Sequence, residues 1–295
     1  MTKSRLRAVA PKSIAPSKPK ILIYGKPGVG KTWASLDFPS VYYIDTEGGA
    51  TREHYTDKLK AAGGVYFGVE QGSLDFKEVI EQVKALATEN HGFKTLVIDS
   101  FTKLYLVACA EAAEKGGDDF GRDKKEANKP TKSLINWLGK LDMNVILICH
   151  EKAEWGVDSK GQRAEIGRTF DGYEKLEYEL DLCMNIRKQG ESRVAHVKKS
   201  RLTAFPDGSL MPWSYVDFAQ RYGKEVMEAD SKPIELATPE QLAEFNALLE
   251  VIKLAEGQTD KWLTAANANS FAEMDTEKMT KLINHLKEKK NAVSA

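Results

Sequence analysis

The octet Gly25-Lys26-Pro27-Gly28-Val29-Gly30-Lys31-Thr32 constrains this chain more than any other feature. Glycines at positions 25, 28 and 30 let the backbone curl until several N–H groups converge on one point, as a phosphate requires. An apolar run, Ile21-Leu22-Ile23-Tyr24, precedes the octet and reads as a buried parallel strand. The segment from Trp33 to Phe38 reads as a helix stopped by Pro39. The amino end of such a helix adds positive partial charge beside the same anion. Strand, loop and helix together predict a site for ATP and Mg²⁺, enclosed by residues 25–30 and Trp33. Lys31 would reach the β- and γ-phosphates, and Thr32 would ligate the metal.

Three more apolar runs end in polar residues. Val41-Tyr42-Tyr43-Ile44 leads to Asp45-Thr46-Glu47, Thr95-Leu96-Val97-Ile98 to Asp99, and Asn144 to Cys149 to His150. Ligands of open α/β sheets collect at the carboxyl ends of strands, so these residues are site candidates. A carboxylate ending an apolar strand is costly unless it faces a cation, and Asp99 therefore suits Mg²⁺. Capping the helix after Ser100 is a compatible role. Glu47 is placed to polarise a water attacking the γ-phosphate; a solvated acid before the Gly48-Gly49 turn is the other reading. His150 is either a sensor of the γ-phosphate or a satisfied core histidine.

Strand-like and helix-like segments alternate along the rest of the first two-thirds. Val65 to Val69 suits a strand, Phe76 to Ala87 and Ser133 to Leu141 suit helices, and another helix follows Ser100 to about Ala113. Gly116 to Lys132 and Glu151 to Gly172 are polar and read as loops. Asp181 to Lys188 and Ser192 to Lys198 read as two strands around a turn. The fold expected is α/β, a mainly parallel sheet with an antiparallel edge hairpin. Three regions follow: a basic arm over 1–19, a core over 20–230, and a small helical domain over 231–295. The last opens at Thr238-Pro239-Glu240-Gln241, a capping box with proline at the first helical position.

Composition excludes a few classes. Lys plus Arg and Asp plus Glu both number 43, so no global field draws in polyanions and any such site must be local. Cys109, Cys149 and Cys183 are widely spaced within apolar stretches and suit a reducing compartment, here the cytoplasm. No apolar run approaches the length of a membrane span.

In their order these motifs resemble the RecA-type branch of the P-loop ATPases, and most closely phage-encoded members that anneal or recombine single strands. The resemblance runs over about residues 20 to 215. Ile44-Asp45-Thr46-Glu47 resembles the strand carrying that family's catalytic glutamate, Val97-Ile98-Asp99-Ser100 its Mg²⁺-acid strand, and His150 its polar sensor. Val197-Lys198-Lys199-Ser200-Arg201 resembles its finger segment. The resemblance implies that Lys199 and Arg201 reach a neighbouring subunit's γ-phosphate; a solvated basic edge strand is the alternative. It also implies subunits that associate with nucleotide at their interface.

Single-stranded DNA is the partner the resemblance implies, held by segments after the Mg²⁺-acid helix and after the sensor. Candidates in the first are Phe120, Arg122, Lys124 and Lys125; in the second, Lys152, Trp155, Lys160, Arg163 and Arg168. Cations follow the backbone and exposed aromatic planes stack on bases, although Phe120 and Trp155 could equally anchor their own segments. The helical tail resembles appendages that dock a single-strand-binding protein or a nuclease. Two other functions use the same loop: a hexameric helicase motor and a small-molecule phosphotransferase.

Overall fold

The computed structural model describes residues 17–49, 53–116, 122–252 and 254–294. One mixed sheet organises the chain. Its strands are β1 (Lys20–Tyr24), β2 (Val41–Asp45), β3 (Val65–Phe67), β4 (Thr95–Asp99), β5 (Asn144–Val157), β6 (Arg163–Asp171), β7 (Leu182–Gln189), β8 (Ser192–Ser200) and β9 (Leu210–Pro212). The order is β3-β2-β4-β5-β1-β7-β8-β9, with β6 paired only to β5. Strands β3 to β7 along that path are mutually parallel, and β8 and β9 add the antiparallel edge. This is the expected α/β architecture, a mainly parallel sheet with an antiparallel edge hairpin. The antiparallel hairpin joins the sheet beside the phosphate-loop strand.

Period-two alternation within the strands builds two cores. Leu22, Tyr24, Ile44, Leu96, Ile98 and Leu147 point to one face, and Ile21, Ile23, Tyr43, Val97, Ile146 and Ile148 to the other. The first face is covered by α3 (Phe76–Thr88), α4 (Phe101–Gly116) and α5 (Arg122–Lys140) through Val79, Val83, Leu104 and Trp137. The second is covered by α1 (Lys31–Ser35), α2 (Glu53–Ala61), α7 (Tyr215–Tyr222) and α8 (Lys224–Glu228), with Phe38, Leu59, Phe218 and Met227 packed there. The short α6 (Leu176–Glu179) leads into β7. Both faces being covered explains why the central strands are continuous apolar runs.

Three sequence readings need correction. The stretch 151–172 is not a loop, because β5 continues to Val157 and pairs antiparallel with β6. Its charged and small residues hid a strand pair whose turn is closed by Asp158, whose Oδ1 accepts from the N–H groups of Lys160 and Gln162. The polar stretch 116–132 is likewise helical from Arg122, in one helix that continues through Pro130. Lys125, Glu126 and Ala127 are good helix formers, and one missing N–H does not stop a helix whose carboxyl half buries Leu134, Trp137 and Leu138. Finally, α1 ends at Ser35 rather than at Phe38.

Residues 1–16, most of the basic arm, lie outside the described residues, as does Phe120. Lys18, counted with that arm, is buried and donates to the carbonyls of Asp142 (3.0 Å) and Ala229 (2.6 Å). Lys20 caps Leu141 and Met143 similarly, and burial pushes its ammonium down to about 8. The carboxyl-terminal region is helical as read: α9 (Pro239–Val251), α10 (Gln258–Ala266) and α11 (Thr276–Ser294) enclose a cluster of Phe245, Leu248, Met279, Ile283 and Leu286. The capping box of Thr238 and Gln241 forms in both directions. Glu273 fastens this region to the sheet domain, pairing with Lys84 at 3.1 Å while its carbonyl accepts from Lys140 at 2.8 Å. Among the described residues no helix is long and apolar enough to cross a membrane.

Candidate functional site

Parallel register brings the candidate residues to one edge. Tyr24 lies beside Cys149 and Asn185, and Asp45 beside Asp99, so the segments that follow Tyr24, Asp45, Asp99 and Cys149 leave on the same side. The chain leaves β1 at Gly25, where a Cβ would stand 2.3 Å from the Ile186 carbonyl oxygen. It then curls through Gly28 and Gly30, both with positive φ, into α1. The Lys31 ammonium folds back over the curl, donating to the carbonyls of Gly25 (2.8 Å) and Lys26 (3.0 Å). Burial lowers its pKa, opposed by the nearby carboxylates of Asp99, Glu47 and Glu151. Lys26, Pro27 and Gly28 are exposed, whereas Val29 is buried in the second core.

Thr32 Oγ1 donates to Asp99 Oδ2 at 2.5 Å, and the Tyr43 hydroxyl donates to the same oxygen at 3.1 Å. Burial pushes the Asp99 carboxyl up to about 6; the Thr32 bond opposes that rise, while the charge of Glu47 adds to it. Among the described residues no three His, Cys, Asp or Glu side chains converge as a metal cage. One hydroxyl and one carboxylate fit Mg²⁺, which binds proteins through few side chains and keeps phosphate and water as its other ligands.

Glu47 Oε1 accepts from Ser100 Oγ and pairs with His150 Nε2, both at 2.6 Å. Burial pushes its pKa up, but those two hydrogen bonds, together with the charge interactions of His150 and Lys103, leave the carboxyl below its ordinary value. Backbone bonds brace the arrangement: Thr46 Oγ1 accepts from the Ser100 N–H at 2.7 Å, and the Thr46 N–H donates to the Asp99 carbonyl at 2.8 Å. His150 is fixed at its N–H, which donates to Thr102 Oγ1 at 2.9 Å.

A family model described as an AAA domain matches residues 17–204. The chain belongs to the AAA domain family. The AAA domain therefore spans the whole sheet through β8 and contains every strand end just described. Among solved structures, the crystal structure of the RadB recombinase is similar at 22% identity, covering 67% of this chain and 87% of that one, with a TM-score of 0.41. A prototypical ATPase from the type III secretion system of pathogenic bacteria is similar at 12% identity, over 92% of this chain and 80% of that one, also at 0.41. No curated protein matches. The AAA domain with its complete phosphate loop makes the chain a P-loop ATPase.

Trp33 is 44% exposed and carries the Lys58 ammonium 3.8 Å from its ring centroid, with His54 and Tyr55 alongside. Lys199 and Arg201 donate to the carbonyls of Leu180 and Tyr178. They lie where Ser200 pairs with Leu182 and Leu182 with Ile21, at the opposite end of β1 from its phosphate loop. They do not reach the loop of their own chain.

Of the DNA candidates, Arg122 and Lys124 lie in the first turns of α5, and Lys125 is exposed there. Trp155 is 56% exposed on the β5–β6 hairpin, with the Arg163 guanidinium 5.2 Å from its ring centroid. Lys160 sits in the hairpin turn, Lys152 pairs with Asp171 at 3.2 Å, and Arg168 pairs with Glu165 at 3.1 Å.

The sequence reading missed several site residues. Ser100 adjoins Asp99 in the motif and could have been found there. Tyr43, Arg187 and Arg193 gave no signal, because only the tertiary fold brings them in. A Cβ on Gly30 would stand 3.0 Å from Arg193 Nε, so the β7–β8 hairpin overhangs the phosphate loop.

Proposed function

We propose that this ATPase acts on single-stranded DNA, coupling hydrolysis to its grip on the strand during annealing or strand exchange. One observation carries the reading: β5 runs from His150, bonded to Glu47, directly into the hairpin that exposes Trp155. A strand bound on Trp155, Lys160 and Arg163 would bear on the histidine that holds the glutamate, within one rigid hairpin. The exposed ring supplies a stacking plane and the cations follow the phosphates.

In hydrolysis the loop N–H groups and Lys31 hold the β- and γ-phosphates. Glu47, kept ionised by Ser100 and His150, accepts a proton from the attacking water. The water oxygen bonds to the γ-phosphorus as its bond to the bridging oxygen breaks, giving ADP and phosphate. Thr32 and Asp99 would hold Mg²⁺, which neutralises charge on the phosphate oxygens. His150 senses the γ-phosphate through the carboxylate it shares with Ser100. Lys199 and Arg201, remote from their own loop, would serve a neighbouring copy, with nucleotide between the two.

The test is ATP turnover with and without single-stranded DNA, with Lys31→Ala as the blank. DNA should raise the rate, and the blank should show almost none. Equal rates with and without DNA count against the DNA reading while leaving the ATPase intact.

A further inference from the structure

Next to the phosphate loop lies a cleft of about 390 Å³ lined by Lys26, Glu151, Arg168, Asn185, Arg187 and Lys188. Its position is fixed by backbone. Gly25 rests on the Ile186 carbonyl, so the next residue of β7, Arg187, emerges beside Lys26. The cleft holds four cations and one carboxylate, and that carboxylate is engaged. Glu151 Oε2 accepts from Asn185 Nδ2 at 3.0 Å, and Arg168 Nε lies 3.9 Å from Oε1. Among the described residues, Lys26, Arg187 and Lys188 form no ion pair. A cleft so charged and continuous with a phosphate loop suits an anion at the exposed end of the bound phosphates.

Arg187 is the cation held in place. Its Nε donates at 2.5 Å to Oδ1 of Asn185, a residue 1% exposed. Asn185 is itself gripped by Glu151 and by the Tyr24 carbonyl, at 3.0 and 3.4 Å. The brace therefore runs from the phosphate-loop strand and the β5–β6 hairpin to one guanidinium. Lysine at this place would be an unbraced point charge, whereas a guanidinium bonded through Nε keeps two terminal amino groups for phosphate oxygens.

We propose that Arg187 is a catalytic residue acting in cis, binding the γ-phosphoryl oxygens as charge develops on them during hydrolysis. Asn185 and Glu151 are its positioning residues. The proposal rests on the ATPase reading and is independent of DNA. It gives each subunit a finger of its own, whatever Lys199 and Arg201 contribute from a neighbour.

The experiment compares Arg187→Ala with wild type in turnover, in affinity for Mg²⁺·ADP, and in affinity for Mg²⁺·ADP with fluoroaluminate as a mimic of the transferring phosphoryl. Arg187→Ala leaves the buried Asn185 Oδ1 without its donor, so Tm should fall slightly, and the three measurements are made well below it. The expected result is a kcat lower by on the order of 10²-fold or more, the loss typical of one preorganised charge donor. Mg²⁺·ADP affinity should be unchanged and the fluoroaluminate complex lost; Arg187→Lys should recover only part of the rate. Wild-type turnover in Arg187→Ala overturns the proposal, and so does equal weakening of both complexes, which would mark a ground-state contact. Absence of turnover and of the fluoroaluminate complex in wild type itself would overturn hydrolysis, and the proposal with it.

Discussion

Gly25 and Ile186 touch where a side chain would not fit: the Ile186 carbonyl oxygen occupies the space 2.3 Å from a Cβ at position 25. Gly25 also sits at a φ of 157°, outside the range most residues adopt. The contact locks the first residue of the phosphate loop onto β7, so loop geometry and sheet geometry are one property. Gly25→Ala should therefore destabilise the protein by about 2–4 kcal/mol, since the obstacle is backbone and cannot rotate aside. Denaturant unfolding checks the magnitude, and nucleotide affinity should fall with it. Gly28→Ala, at φ 75° but with open space around it, should cost less.

Glu47 is held below the ordinary carboxyl range by hydrogen bonds from Ser100 and His150, against the upward push of burial. Glu47→Gln should cut turnover by about 10²–10⁴-fold while leaving ATP affinity intact. Ser100→Ala is the more informative change. With one stabilising bond gone, the carboxylate protonates at higher pH, so the acidic limb of kcat/KM should move upward. An unmoved limb would show that Glu47 is not the group titrating in turnover.

Asp99 is pushed up from 3.8 to about 6 by burial. A carboxyl with a raised folded-state pKa binds more protons folded than unfolded, so its ionisation opposes folding as pH rises through about 4 to 6. The penalty is fully present above pH 6 and amounts to at most about 3 kcal/mol. Asn in its place still accepts from Thr32 and Tyr43 without carrying charge. Asp99→Asn should raise Tm at pH 8, with the gain shrinking as pH falls toward 4, and should abolish Mg²⁺-dependent nucleotide affinity. In the wild type that affinity should weaken as pH drops below about 6. A lower Tm for the variant at pH 8 would contradict the account.

What the sequence discloses follows from how each part is built. Strands β1, β2, β4 and β5 are buried on both faces, so Ile21 to Tyr24 or Leu96 to Ile98 could be read directly as apolar runs, and the acids that end them lie in the site. The β5–β6 hairpin is solvated beyond Glu151, where Lys152, Glu154 and Asp158 alternate with small or apolar residues, and it resembles a loop until its partner is known. The α5 helix is hidden by lysines and a proline in its amino half; tertiary packing of its other half decides the matter. Arg187 and Arg193 carry no local signature at all. Their proximity to the phosphate loop depends on β7 lying against β1 and on β8 folding back over Gly30.

The hairpin makes the proposed coupling between DNA and ATP testable at two separate residues. Trp155 is exposed beside Arg163 and lies far along β5 from Glu47, so it should affect binding of the strand and not the chemistry without DNA. Trp155→Ala should weaken single-stranded DNA by about 1–3 kcal/mol for the base it stacks. Its DNA-free turnover and its Tm should stay those of the wild type. His150 sits at the other end of the same hairpin, on the glutamate itself. His150→Ala should retain DNA affinity but lose the response of turnover to DNA, because the contact from strand grip to Glu47 is gone. Measuring both variants by fluorescence anisotropy and phosphate release separates grip from transmission. Should His150→Ala still be stimulated as fully as wild type, the hairpin does not carry the signal.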